Sequence, residues 1–171
     1  MELAYAAGIF DGEGCVRIDE YDIAATANRP KAYRRTQLRV MVAMNHFPTI
    51  RALYDQFGGM ISKDDSSNRK NPKHAIRYTW VQWSSGASDF LIAVEPFLIT
   101  KLEQARAAIR FQKHIRQCDP IFRKHHGVPP NLAKIRAFRT KLIAELQFHK
   151  AGRFDIPKDE LKSPRRKWPY A

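Results

Sequence analysis

The chain is poor in several things at once. Only two cysteines, Cys15 and Cys118, occur in 171 residues. Two residues so far apart make neither a disulfide framework nor a zinc ligand set, and they suit a reducing intracellular setting. No stretch approaches the ~18 consecutive apolar residues of a membrane span. The start, Met1-Glu2-Leu3, lacks the basic and apolar regions of a signal peptide, so neither a leader nor a membrane partner is expected. No fixed-period repeat is present. Acidic residues are scarce too: 17 Asp and Glu face 30 Lys and Arg, a net charge of +13. That excess suits a polyanion, nucleic acid ahead of a membrane surface. A basic protein without such a partner remains the plain alternative. The hydrophobic fraction, 44%, is enough for a packed core and argues against wholesale disorder.

Periodicity then orders the chain. Residues 2–10 read as a short Ala-rich helix broken at Asp11-Gly12-Glu13-Gly14, where glycines favour a stop. Cys15 to Tyr21 alternates with strand period, and 23–31 reads as a loop closing on Pro30. Arg35 to Asn45 reads as a long strand, with Leu38, Val40, Val42 and Met44 on one side and Gln37, Arg39, Met41, Ala43 and Asn45 on the other. Pro48 opens a helix to Phe57, with Ile50, Leu53, Tyr54 and Phe57 on one face. Met60–Lys63 and Ala75–Trp83 read as strands around a polar hairpin loop at 64–73. Ser88–Val94 reads as a helix capped by Ser85 or Ser88, and Phe97–Gln117 as a further helical region. Pro120, Gly127, Pro129 and Pro130 mark a connection to an amphipathic helix, Leu132–His149. The segment from Gly152, ending Arg165-Arg166-Lys167-Trp168, reads as a basic arm or a solvated tail. The expected domains are 1–117, a helical extension over 118–150, and a tail over 151–171.

Three segments carry a resemblance. Ala6-Ala7-Gly8-Ile9-Phe10-Asp11-Gly12-Glu13-Gly14 resembles the signature of the LAGLIDADG homing endonucleases. Gln37 to Val42 is similar to that family's second DNA-contacting strand, and Pro96 to Ala105 to the stretch leading into its later helix. The resemblance covers about residues 3–117 and implies an α+β fold of order αββαββα. The expected architecture is an antiparallel, saddle-shaped sheet with helices on one face, plus C-terminal helices. It departs from the family pattern in Ala6, where the motif has Leu, and in Glu13, where the second acid is often Asp. The 58–83 segment matches only in outline.

The resemblance also assigns roles. Tyr5, Gly8 and Gly12 recur at i, i+3 and i+7, one stripe of a helix whose small residues permit close backbone approach. In the family this stripe meets its copy across a two-fold axis, so a single-motif chain implies a homodimer. Asp11 matches the acid that organises the helix end. Glu13 matches the metal-binding acid, with the Gly12 carbonyl beside it. The implied cofactor is Mg2+, or another divalent ion such as Mn2+, with Ca2+ binding without supporting cleavage. An EF-hand is a poor fit, because its ligand spacing does not continue past Gly14. Lys101 matches the active-site lysine, a cation for transition-state charge. Asn45 or His46 stands where relatives carry a water-organising residue, and Arg51 is a candidate for the same network.

A two-stranded ribbon fits the DNA major groove, where Arg reads guanine and Gln reads adenine through paired hydrogen bonds. The polar strand faces are therefore the expected reading surface: Arg17, Asp19, Tyr21, Arg35, Gln37 and Arg39, with Lys63, Arg77 and Thr79 added. A ten-residue strand spans about 33 Å, about ten base pairs, so two subunits cover a pseudo-palindrome of about 20. The implied function is a site-specific endonuclease making metal-dependent double-strand breaks with short 3′ overhangs. It would serve intron or intein mobility, on double-stranded DNA and no small-molecule substrate. Such a protein works in the cytoplasm or nucleoid of a bacterium or phage, or in an organelle. The alternative is a non-cleaving nucleic-acid-binding protein, such as an intron maturase, on the same fold. A nuclease centre of the ββα-metal type, built from His125, His126, Asn131 and His149, is a third and weaker reading.

Overall fold

The alternation along the second strand sets the layout. The computed structural model describes residues 1–25, 33–64, 76–124 and 131–151, without the side chains of residues 33 and 119–124. Strand β1 (Gly14–Ile23) pairs antiparallel with β2 (Tyr33–Met44), Val16 opposite Val40 and Ile18 opposite Leu38. Val16, Leu38, Val40 and Val42 are fully buried, so both strands turn one apolar face inward. Strand β3 (Met60–Asp64) forms the far edge and β4 (Arg77–Trp83) joins it to β2, in the order β1-β2-β4-β3. The helices are α1 (Leu3–Glu13), α2 (Phe47–Phe57), α3 (Ser84–Val94), α4 (Leu102–Lys124) and α5 (Leu132–Lys150). The chain order is αββαββα followed by two more helices, an α+β fold with an open antiparallel sheet.

All five helices supply the core on the inner face of the sheet. Phe90 of α3 is its hub, with ring centroids of Phe10 and Trp80 at 5.0 Å and of Phe57 at 4.9 Å, all near edge-to-face. Such pairs add about 0.5–1.5 kcal/mol each beyond their area burial. Leu142 and Leu146 of α5 belong to the same cluster as Phe10 and Val40, and α4 continues past residue 117 to Lys124. The outer face of the sheet has no helix over it among the described residues.

The element boundaries shift from the sequence reading for local reasons. Helix α1 runs through Asp11 and Gly12 to Glu13, and the Gly14 N–H bonds the Phe10 carbonyl. Gly12 is thus a tolerated helical glycine, and Gly14 is the one that matters. A Cβ there would sit 2.7 Å from Phe10 Cε2. Neither Ser85 nor Ser88 caps α3: Trp83 is the N-cap without a side-chain bond, and Ser88 is buried. Residues 98–101 stay outside any helix, which breaks the region read as helical from Phe97. The loops at 26–32 and 65–75, the 125–130 connection and the 152–171 tail lie outside the described residues, as do His125 and His126.

Candidate functional site

Two helix ends exchange caps where α1 stops and α4 starts. The last carbonyls of a helix and the first N–H groups of the next lack intrahelical partners. Here the Asp11 carboxylate, on the last turn of α1, accepts from three backbone N–H groups ahead of α4: Ile99 at 2.7 Å, Thr100 at 3.2 Å and Lys101 at 2.9 Å. In return the Lys101 ammonium donates to the Asp11 carbonyl. Each charge opposes the helix dipole beside it, an anion at the start of α4 and a cation at the end of α1. Asp11 is therefore spent on structure. Lys101 is fixed on the linker rather than in the helix.

Glu13 and Gly12 lie at that same end and are exposed. No hydrogen bond or ion pair of the Glu13 side chain occurs among the described residues, and the next residue opens β1. The described residues hold no group of three or more His, Cys, Asp or Glu side chains able to share a metal. At this helix end one chain thus offers one hard, open carboxylate among the described residues. That chemistry fits a magnesium-type ion, which keeps several waters and takes phosphate oxygens.

The opposite side of α1 packs Ala6, Ala7 and Phe10 into the core. Tyr5, 57% exposed, Gly8 and Gly12 point outward. A Cβ on either glycine would meet nothing within 4 Å. The stripe is therefore unpartnered within the described chain. Ile99, bonded to Asp11 through its N–H, stands 87% exposed beside it, whereas Leu98 is buried. The sequence reading did not single out Ile99. Its only signal was the alternation Phe97-Leu98-Ile99, exposed, buried, exposed, of an extended linker.

The proposed water-organising residues sit elsewhere. Asn45 is exposed at the bend after β2. His46 Nδ1 lies 2.8 Å from Thr49 Oγ1, and His46 lines a groove with Glu2 and Tyr5 from the start of α1. Arg51 is bound to Asp55 at 2.7 Å and stacks over Tyr54 on its own helix. No described contact brings any of the three to Asp11, Glu13 or Lys101. The ββα-metal reading also fails on geometry. Asn131 precedes α5 and His149 lies in its last turn, 18 residues on, about 27 Å along the axis.

The outer sheet face carries most of the expected reading residues. Cross-strand pairs Arg17↔Arg39, Asp19↔Gln37 and Tyr21↔Arg35 share it. So do Thr79, opposite Ala43, and Arg77, two residues before it. Lys63 does not. It pairs with Tyr78, and Tyr78 lies opposite Met44 on the inner face. A one-residue error in register moves a side chain to the other face; Ser62 and Asp64 take the outer positions, opposite Thr79 and Arg77. The residues are also linked. Tyr21 Oη donates to Gln37 Oε1 at 2.6 Å, and Gln37 Nε2 donates to Ser84 Oγ at 3.1 Å. Arg35 stacks over the Tyr21 ring. At the ribbon's far end, the hydrogen bond from Arg34 holds the Asp22 carboxyl below its usual value.

No family model matches the chain, and no curated protein matches it. Solved structures do. The homing endonuclease I-CvuI, in complex with its target in the presence of Ca, is 15% identical with a TM-score of 0.61, over 91% of this chain and 83% of that one. The archaeal intron-encoded homing endonuclease I-Vdi141I, complexed with DNA, is 14% identical with a TM-score of 0.62, over 99% and 88%. The LAGLIDADG homing endonuclease I-SmaMI, bound to cleaved DNA, is 14% identical with a TM-score of 0.54, over 81% of this chain but 42% of its own. No helix among the described residues is long and apolar enough to cross a membrane. In its fold, as in its Ala6–Gly14 motif, the chain resembles the LAGLIDADG homing endonucleases.

Proposed function

We propose that this chain is a site-specific DNA endonuclease. It acts as a homodimer on a long pseudo-palindromic duplex, hydrolysing one phosphodiester in each strand to leave short 3′ overhangs. The observation that carries the reading is the exchange between Asp11 and the 99–101 linker. It fixes Lys101 at the end of α1, next to an open carboxylate at Glu13 and at the root of a ribbon faced with arginines. Two copies joined through Tyr5, Gly8, Gly12 and Ile99 would bring two such ends together, one per scissile phosphate. Glu13, with the Gly12 carbonyl, would hold a divalent ion such as Mg2+ or Mn2+. That ion supplies water activation and charge stabilisation at phosphorus. Lys101 supplies a fixed cation for developing phosphate charge, and the outer sheet face holds the duplex. Asn45, His46 and Arg51 are left outside this set, since His46 and Arg51 make their described contacts on α2 and none of the three is described in contact with Asp11, Glu13 or Lys101. Gene mobility is the role this activity serves.

The test mixes the purified chain with a plasmid carrying the uninterrupted sequence that flanks its own gene, with and without Mg2+. A linear product that requires the metal is expected. Binding with no linear product under Mg2+ or Mn2+ would instead favour a non-cleaving nucleic-acid-binding protein, such as an intron maturase.

A further inference from the structure

The reading surface sets two arginines side by side. Arg17 and Arg39 are direct cross-strand partners on the outer face, their Cα atoms about 4.5–5.5 Å apart by pairing geometry. Like charges so placed repel. Asp19, two residues along β1, sits between them. Arg39 turns the fork of its guanidinium to the carboxylate, Nη2 donating to Oδ1 at 3.4 Å and Nε standing at ion-pair distance, 2.9 Å, from Oδ2 without a hydrogen bond to it. Arg17 Nε lies 3.3 Å from Oδ1. Both carboxylate oxygens thus face a guanidinium. The Asp19 side chain is 23% exposed, against 53% for Arg17.

We infer that Asp19 is a positioning residue that turns Arg17 and Arg39 into a paired guanine reader, and is not itself a base-contacting acid. The inference rests on the proposed DNA-reading function. Arg17 meets Asp19 through Nε alone, so both of its Nη groups stay free, and Arg39 keeps Nη1 free beside the Nη2 that donates to Asp19; these are the groups that can pair with guanine O6 and N7. Cross-strand partners stand side by side across the ribbon rather than along it, so the two arginines address the same level of the groove. Arg17 stands three residues from Gly14, where the ribbon leaves the Glu13 end. At about 3.3 Å per residue the guanine pair lies roughly three base pairs outward from there. The neighbouring side chains are tied as well, Gln37 to both Tyr21 and Ser84, so the patch is ordered before DNA arrives. A cytosine amino group seeking Asp19 would have to displace two guanidiniums. Guanines meet the Nη groups that Asp19 leaves free.

The experiment selects bound duplexes from a randomised double-stranded library in Ca2+, with the full chain and with Asp19→Asn, Arg17→Ala and Arg39→Lys. The wild type should enrich guanine at two positions at that level in each half of the selected site. Arg17→Ala should lose one of these preferences and Arg39→Lys should weaken the other. Asp19→Asn should flatten both by about tenfold while leaving the other selected positions intact. Its affinity for unselected duplex should rise, because one negative charge per chain is gone. A loss confined to a cytosine position, with the guanine pair intact, would make Asp19 the reader and overturn the inference. So would an Asp19→Asn pool identical to wild type. If Asp19→Asn does not fold, the Arg39→Lys pool decides, since it keeps the charge and removes the fork. A wild type that selects no sequence overturns both this inference and the site-specific function. Selection of the guanine pair by a chain that never cuts would leave the inference standing and sink only the endonuclease.

Discussion

Replacing Asp11 with Ala tests how the site is built. The carboxylate accepts the N–H groups of Ile99, Thr100 and Lys101, and all three lose their acceptor at once. A helix cap is worth about 1 kcal/mol, and a hydrogen bond to a charged group about 1.5–3 kcal/mol when shielded. These bonds are half-exposed to exposed, so water recovers much of each. A net loss of about 2 kcal/mol follows, against the roughly 4.5–9 that simple addition of three bonds would give. For a chain of this size each kcal/mol moves the melting midpoint by about 2–4 °C, so Asp11→Ala should melt about 4–8 °C lower in circular dichroism. Asp11→Asn retains one carbonyl oxygen, enough for two of the three N–H groups as Oδ2 now serves Ile99 and Thr100. It should lose about half as much. The Lys101 ammonium binds a backbone carbonyl that the substitution spares, but its linker loosens, so cleavage should fall further than DNA binding. An Asp11→Ala chain that melts within about 1 °C of wild type would refute the reciprocal-cap reasoning.

Other perturbations separate the parts. Gly14→Ala should destabilise the chain by about 1–3 kcal/mol, because the new methyl meets the Phe10 side chain and carbonyl; urea unfolding at unchanged m measures it. Gly8→Leu should leave the single chain folded, since nothing lies within 4 Å of a Cβ there, yet yield monomers in analytical ultracentrifugation. A dimer of unchanged strength would remove α1 from the interface. His114 packs against the Phe138 ring at 4.6 Å and lies 3.5 Å from Cys118 Sγ. Burial, with Arg139 nearby, pushes its pKa below the ordinary 6.5. The folded chain therefore holds fewer protons there than the unfolded one as pH falls below that value. Stability from the neutral ring is present above pH 6.5 and is lost as pH falls through the folded pKa. His114→Gln should remove that part of the acid sensitivity, and an unchanged stability profile from pH 7 to about 5 would contradict it.

The sheet was legible because one signal, period-two alternation, fixes both strand and face. Leu38, Val40 and Val42 announce the buried side of β2, and Arg17, Gln37 and Arg39 the other. Lys63 was misplaced because β3 is five residues long and nearly all exposed, so its own pattern barely marks a face; only pairing to Tyr78 decides it. The ends of α1 and α3 were misjudged for a related reason. Glycine and serine propensities are local, whereas α1 is held to Glu13 by the linker packed on Asp11. Asp11, Glu13 and Lys101 were singled out through motif and resemblance together, and the structure brings Asp11 and Lys101 into contact at the end of the helix that carries Glu13. The separation of 88 positions between Asp11 and Ile99 hides their contact from any local reading. Asn45, His46 and Arg51 were chosen by position alone, and α2 holds His46 and Arg51 through Thr49, Asp55 and Tyr54.

The most direct test of the central claim uses Glu13→Gln, which keeps size and removes the charge. Wild type and variant are compared on a plasmid carrying a selected duplex, by gel shift in Ca2+ and by linearisation in Mg2+. The account predicts equal binding, with linear product from the wild type alone. A variant that cuts at the wild-type rate would move the active site away from the end of α1.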